Sequence, residues 1–129
     1  MENYYRWINH LIDLLLMELE EELGKSFIRD EELTSGAIGH CKAMVERGCC
    51  YNAPKYLLGS ALAEAVDGVK ADYQDLAIKQ AVKKMAIRLI ESREYHGALR
   101  FYPVIGVSIA VKDIWSGEVA LYATLRLKK

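Results

Sequence analysis

The chain lacks most of the signatures by which a small protein declares its chemistry. It has no C-x-x-C pair, no H-E-x-x-H spacing, no glycine-rich phosphate loop and no Rossmann fingerprint. Its cysteines are few and odd in number: Cys41, Cys49 and Cys50. An odd set argues against a disulfide framework, and adjacent Cys49 and Cys50 would be strained if bonded to each other. The three read as reduced, partly buried thiols. There is no excess of either charge, since 17 basic and 18 acidic residues leave a formal net charge of -1. That balance argues against non-specific nucleic-acid binding, which needs a basic surface. Long apolar runs are missing too. The longest near the start, Leu14 to Met17, falls far short of the roughly twenty residues of a membrane span. The first residues do not resemble a secretory leader. The chain therefore reads as cytoplasmic, or extracellular had a leader been removed.

What is present is ordinary globular composition: 129 residues, 52% hydrophobic and 27% charged. That length suits one domain, residues 1–129, able to bury about two thirds of its unfolded surface. Ile8, Leu11, Ile12, Leu15, Leu19 and Leu23 recur at spacings of three and four, which predicts a helix over 4–23. Gly24 supplies its stop. Asp30 suits a helix cap, with Glu31 and Glu32 in the first turn and Gly48 at the end. Leu33, Ala37, Cys41, Met44 and Val45 are its buried stripe. From Cys49 to Lys70 the periodicity fades around Pro54, Gly59 and Gly68, and we expect loops with one short helix or strand. A third helix is predicted over 72–94.

The period then changes to two. Phe101, Pro103, Ile105, Val107, Ile109 and Val111 alternate with their neighbours, as do Val119, Leu121, Ala123, Leu125 and Leu127. A turn over 113–117 joins these runs into a hairpin. Both faces of the hairpin carry apolar residues, so helices should cover both. The expected fold class is α+β: a three-layer α-β-α sandwich, helices followed by a C-terminal antiparallel hairpin.

Three stretches carry a family resemblance. Asp30-Glu31-Glu32-Leu33 leads through Ala37 and Cys41-Lys42-Ala43-Met44 to Gly48. Glu64-Ala65-Val66 follows. Then come Ser92-Arg93-Glu94-Tyr95-His96 and Ile105-Gly106-Val107-Ser108-Ile109-Ala110. Their order resembles the CAP superfamily, the SCP-like domains of cysteine-rich secretory and plant pathogenesis-related proteins. The resemblance implies an α-β-α sandwich with a shallow cleft of histidines and acids, in some members holding a divalent metal. It puts His96 and Glu64 in that cleft, with Tyr51 and Asn52 beside them. The family's first cleft histidine should follow Gly48, where this chain has Cys49-Cys50-Tyr51-Asn52. Glu118 is only a loose match for the second acid.

Read as residues alone, Glu64 lies in an apolar stretch and needs a partner if buried. His96, at a helix end, is either a cap or, with Glu64, a metal ligand or general base. A Ser92–His96 nucleophile pair has no third orienting group. The histidines His10, His40 and His96 fall on three separate segments, so no complete metal set is evident. We therefore expect no cofactor, with a divalent metal the exception that the family pattern allows. Loss of the first histidine favours a non-enzymatic binding domain for a small ligand, lipid or peptide. An enzyme using Glu64 and His96, and a homo-oligomer built on the long helices, are the alternatives. Tyr4, Tyr5 and Trp7 suit packing or dimerisation, and Trp115 in the hairpin loop suits exposure.

Overall fold

In the computed structural model, which describes residues 2–129, the first apolar stripe forms helix α1 (Glu2–Leu23). Ile8, Leu11, Ile12, Leu15 and Leu19 are buried along it. Gly24 ends it in the left-handed conformation that glycine tolerates. A two-residue strand β1 (Ile28–Arg29) leads into α2 (Glu31–Arg47). The Leu33 backbone N–H donates to the Asp30 carboxylate at 2.9 Å, as the cap pattern predicts. Then follow β2 (Ala63–Asp72), α3 (Asp75–Glu91), α4 (His96–Phe101), β3 (Val104–Ile114) and β4 (Glu118–Lys128).

The sheet order is β1-β3-β4-β2, with β1 parallel to β3 and the other neighbours antiparallel. Helices α1 and α3 pack on one face and α2 on the other, giving the expected α-β-α sandwich. The two faces differ. Toward α1 and α3 the sheet offers Ile105, Val107, Ile109, Leu121, Leu125 and Leu127, a dry apolar layer. Toward α2 it offers Gly106, Ser108 and Ala110 from β3, Tyr122, Thr124 and Arg126 from β4, and Glu64, Val66 and Gly68 from β2. Those side chains are smaller or polar, and α2 comes in close. A Cβ on Gly106 would overlap the Leu33 and Thr34 backbone.

Several boundaries differ from the sequence reading. The segment expected to be mostly loop contains β2, a ten-residue strand paired along its whole length with β4. Its sequence, rich in Ala, Glu, Asp and Gly, has low strand propensity, so pairing rather than local preference makes it a strand. Helix α3 begins later than predicted because β2 holds the chain through Asp72. Phe101 belongs to α4 rather than to the strand and is exposed. No helix among the described residues is long and apolar enough to cross a membrane.

Gly106→Ala should cost ~3 kcal/mol, because the added methyl meets backbone rather than a flexible side chain. Urea denaturation checks this, and Gly39→Ala, where a Cβ meets nothing, is the control that should stabilise or leave α2 unchanged.

Candidate functional site

Glu64 is buried, on β2, directly opposite Arg126 on β4. Arg126 Nε donates to Glu64 Oε2 at 2.9 Å, with the side chains only 8% and 2% exposed. Glu64 Oε1 accepts the backbone N–H of Ala53 at 2.7 Å. His40, arriving from α2, brings Nε2 to 3.7 Å from the same oxygen and to 2.6 Å from the Tyr51 carbonyl. A carbonyl only accepts, so Nε2 carries the proton of that hydrogen bond. Arg126 Nη1 donates to the Leu57 carbonyl at 3.3 Å. Three side chains thus satisfy three backbone groups of one irregular loop, 49–62. The segment is mostly exposed, its own backbone bonds centre on a 3-10 turn at Lys55–Leu57, and the three side chains tie its inner edge to the sheet and α2.

Asn52 extends the network. Its amide donates to the Glu64 backbone carbonyl at 3.0 Å and accepts from the Tyr95 hydroxyl at 2.8 Å. Tyr51, Asn52 and Glu64 are therefore brought together. His96 is not joined to them by any hydrogen bond or ion pair among the described residues. It opens α4, is exposed, and its carbonyl accepts from Arg100. The neighbouring Tyr95 is the residue that turns inward. Ser92 and His96 are linked only through the backbone, the His96 N–H donating to the Ser92 carbonyl. Glu118 begins β4 and pairs in register with Asp72, eight residues along β2 from Glu64.

Two members of the cluster, His40 and Arg126, were not among the residues expected from sequence. His40 had a legible signal: it falls at helical spacing between Ala37 and Met44 on the buried stripe of α2. Arg126 had a weaker one, alternating with Thr124 and Tyr122 on the polar face of β4.

No protein-family model matches the chain, and no curated protein matches it. The fold is similar to that of a solved structure, an outer surface protein from Borrelia burgdorferi. The TM-score is 0.53 and the identity 12%, over 96% of this chain and 94% of that one. At that identity the likeness shows the fold alone.

Beside Arg126 lies a cleft of about 180 Å³ bounded also by Glu32, Gly36, Leu57, Gly59 and Ser60; Glu64, Tyr51, Asn52 and His96 do not line it. Among the described residues no group of three or more His, Cys, Asp and Glu is placed to hold a metal ion. Cys41 is buried beside the cluster, its thiol donating to Thr124 Oγ1 at 3.2 Å, and burial raises it above the ordinary thiol range. Cys49 and Cys50 are exposed. Cys50 is nonetheless pushed up to about 11, chiefly by partial burial and further by the Asp67 charge. Neither Cys41 nor Cys50 is a ready thiolate nucleophile at neutral pH.

Asp67, on the α3 side of β2, is a second buried carboxylate. Arg88 holds Oδ1 at 3.0 Å, but Oδ2 is buried with no hydrogen-bond partner among the described residues. Burial raises its pKa, with Arg88 opposing.

Breaking the buried pair by Glu64→Gln or Arg126→Met should each cost about 3–5 kcal/mol in denaturant unfolding. The double variant should cost less than the sum, by about 2 kcal/mol. Asp67 should behave in the opposite sense. A carboxyl whose folded pKa lies above its unfolded value of about 3.9 holds its proton better when folded. It therefore weakens the fold as pH rises from about 4 through its folded pKa, and the penalty is complete above that. Asp67→Asn should raise Tm at pH 7.5 and change it less at pH 4, measured by calorimetry at both.

Proposed function

We propose that the chain is a small non-enzymatic binding domain of CAP-like fold, whose reduced cleft takes a small ligand, lipid or peptide. One observation carries this reading: the acid that the resemblance assigns to the cleft is fully engaged. Glu64 has one oxygen on Arg126 and the other on the Ala53 N–H, and its side chain is 2% exposed. A carboxylate so enclosed is poorly placed to take a proton from an outside substrate or to attack one, because both tasks need reach to the reacting atom. The nearby histidine His40 holds its Nε2 proton on Tyr51. His96 stands apart at the surface. Arg126 alone of the cluster walls the cleft, which leaves Gly36, Gly59 and Ser60 for contact. The three free thiols suit a reducing compartment, and we assign the domain to the cytoplasm.

An NMR screen of the labelled protein against fatty acids, sterols and short peptides tests this. Binding should move the amide signals of Gly36, Gly59 and Ser60 without turnover. Hydrolysis of any ester or peptide substrate, abolished by both Glu64→Gln and His96→Ala, would contradict the reading.

A further inference from the structure

At the other end of the sheet, about eight strand residues or ~26 Å from Glu64, a separate pocket of about 470 Å³ opens between α1, the start of α3 and the hairpin. Its walls are aromatic. Tyr4, Trp7 and Tyr73 line it, with Ile78 beneath. The Tyr4 and Trp7 rings stand 6.3 Å apart at 58°, two faces meeting at an angle rather than stacked closed. Tyr73 is 62% exposed, an aromatic surface left to solvent. Gln74, Val111 and two carboxylates, Asp75 and Asp113, complete the lining, and no lysine, arginine or histidine is among its residues.

Asp75 is partly offset by Lys79 at 3.0 Å, in a pair where both side chains are exposed. Asp113 forms no ion pair among the described residues. It lies close enough to Tyr4 that its charge adds to the rise that burial imposes on the phenol. Asp75 is taken up by Lys79 and by the start of α3, whose dipole end carries about half a positive charge, so Asp113 is the carboxylate left to answer a cation.

Aromatic rings beside a carboxylate that has no ion-pair partner attract a cation that carries little hydration, because ring quadrupoles and acid act on it together while water holds it weakly. A hydrated metal ion needs convergent oxygen ligands, which this pocket does not provide. A sugar would stack on the rings and donate hydroxyls to the acids, but a neutral molecule gains nothing from the unpaired charge of Asp113 beyond those hydrogen bonds.

We propose that this pocket binds a small quaternary ammonium compound, of the choline type and without a negative charge of its own. The head sits among Tyr4, Trp7 and Tyr73, with Asp113 as its counter-charge. The site is independent of the Glu64 cluster and of the reading given above for it.

The test is a fluorescence titration of a Trp115→Phe protein, in which Trp7 is the sole tryptophan. The probes are choline chloride, its neutral isostere 3,3-dimethylbutanol, the zwitterion glycine betaine, and sodium chloride at equal ionic strength. Choline should give a saturable change, with affinity about tenfold above that of the neutral isostere. Betaine should bind more weakly than choline because its carboxylate meets Asp75 and Asp113. Asp113→Asn and Tyr73→Ala, both at exposed positions, should weaken choline several-fold while circular dichroism and Tm stay unchanged. Equal binding of choline and the neutral isostere would overturn the proposal in favour of a plain apolar pocket. A response to choline no different from that to sodium chloride would overturn it outright.

Discussion

The ion pair between Glu64 and Arg126 ties the edge strand β2 to β4, and the loop before β2 hangs from it. Taking two charges out of water is unfavourable unless each finds further partners. Here the partners are the loop itself: the Ala53 N–H on the acid and the Leu57 carbonyl on the guanidinium. Fourteen residues without a regular ladder, 49–62, acquire a fixed path in this way, and His40 adds a third anchor at Tyr51. The same constraint shapes α2. The Arg126 side chain fills the space that a Cβ at Gly36 would take, and the helix start presses on Gly106. Glycine at those points is a condition of the polar cluster fitting beneath the helix.

The sandwich therefore divides its labour between faces. The α1 and α3 side buries leucines, isoleucines and valines, and such burial is the main source of stability. The α2 side buries Glu64, Arg126, His40, Ser108 and Thr124, each of which demands a particular partner. Polar burial of that kind specifies one arrangement of the loop and helix more than it adds stability. Asp67 is the exception, a buried carboxylate with one oxygen unpartnered among the described residues, and it marks β2 as the strand where the fold tolerates cost.

The sequence made the regular parts legible and hid the relational ones. Helices α1 and α2 and the β3–β4 hairpin announce themselves by period, because each carries its own apolar stripe or alternation. Asp30 and Gly48 mark the ends of α2 through purely local geometry. Strand β2 was illegible because Ala, Glu, Asp and Gly give it little local preference, and its order comes from β4 across the sheet. Glu64 was legible as an acid needing a partner, since a carboxylate among alanines stands out. Its partners were not, because the pairing with Arg126 spans 62 positions and depends on strand register. The family pattern directed attention to His96, while the helix break after Glu91 turns that residue outward and Tyr95 inward.

Amide hydrogen exchange at Ala53 is the most direct measure of whether the cluster closes the cleft. Its N–H donates to Glu64 Oε1 from a loop with no other ladder, so its protection reports that one contact. The account predicts exchange slowed to near the rate of global unfolding, as for the amides of β4. Exchange at the rate of a free loop would mean that Glu64 stands open to solvent, and the buried staple would be wrong.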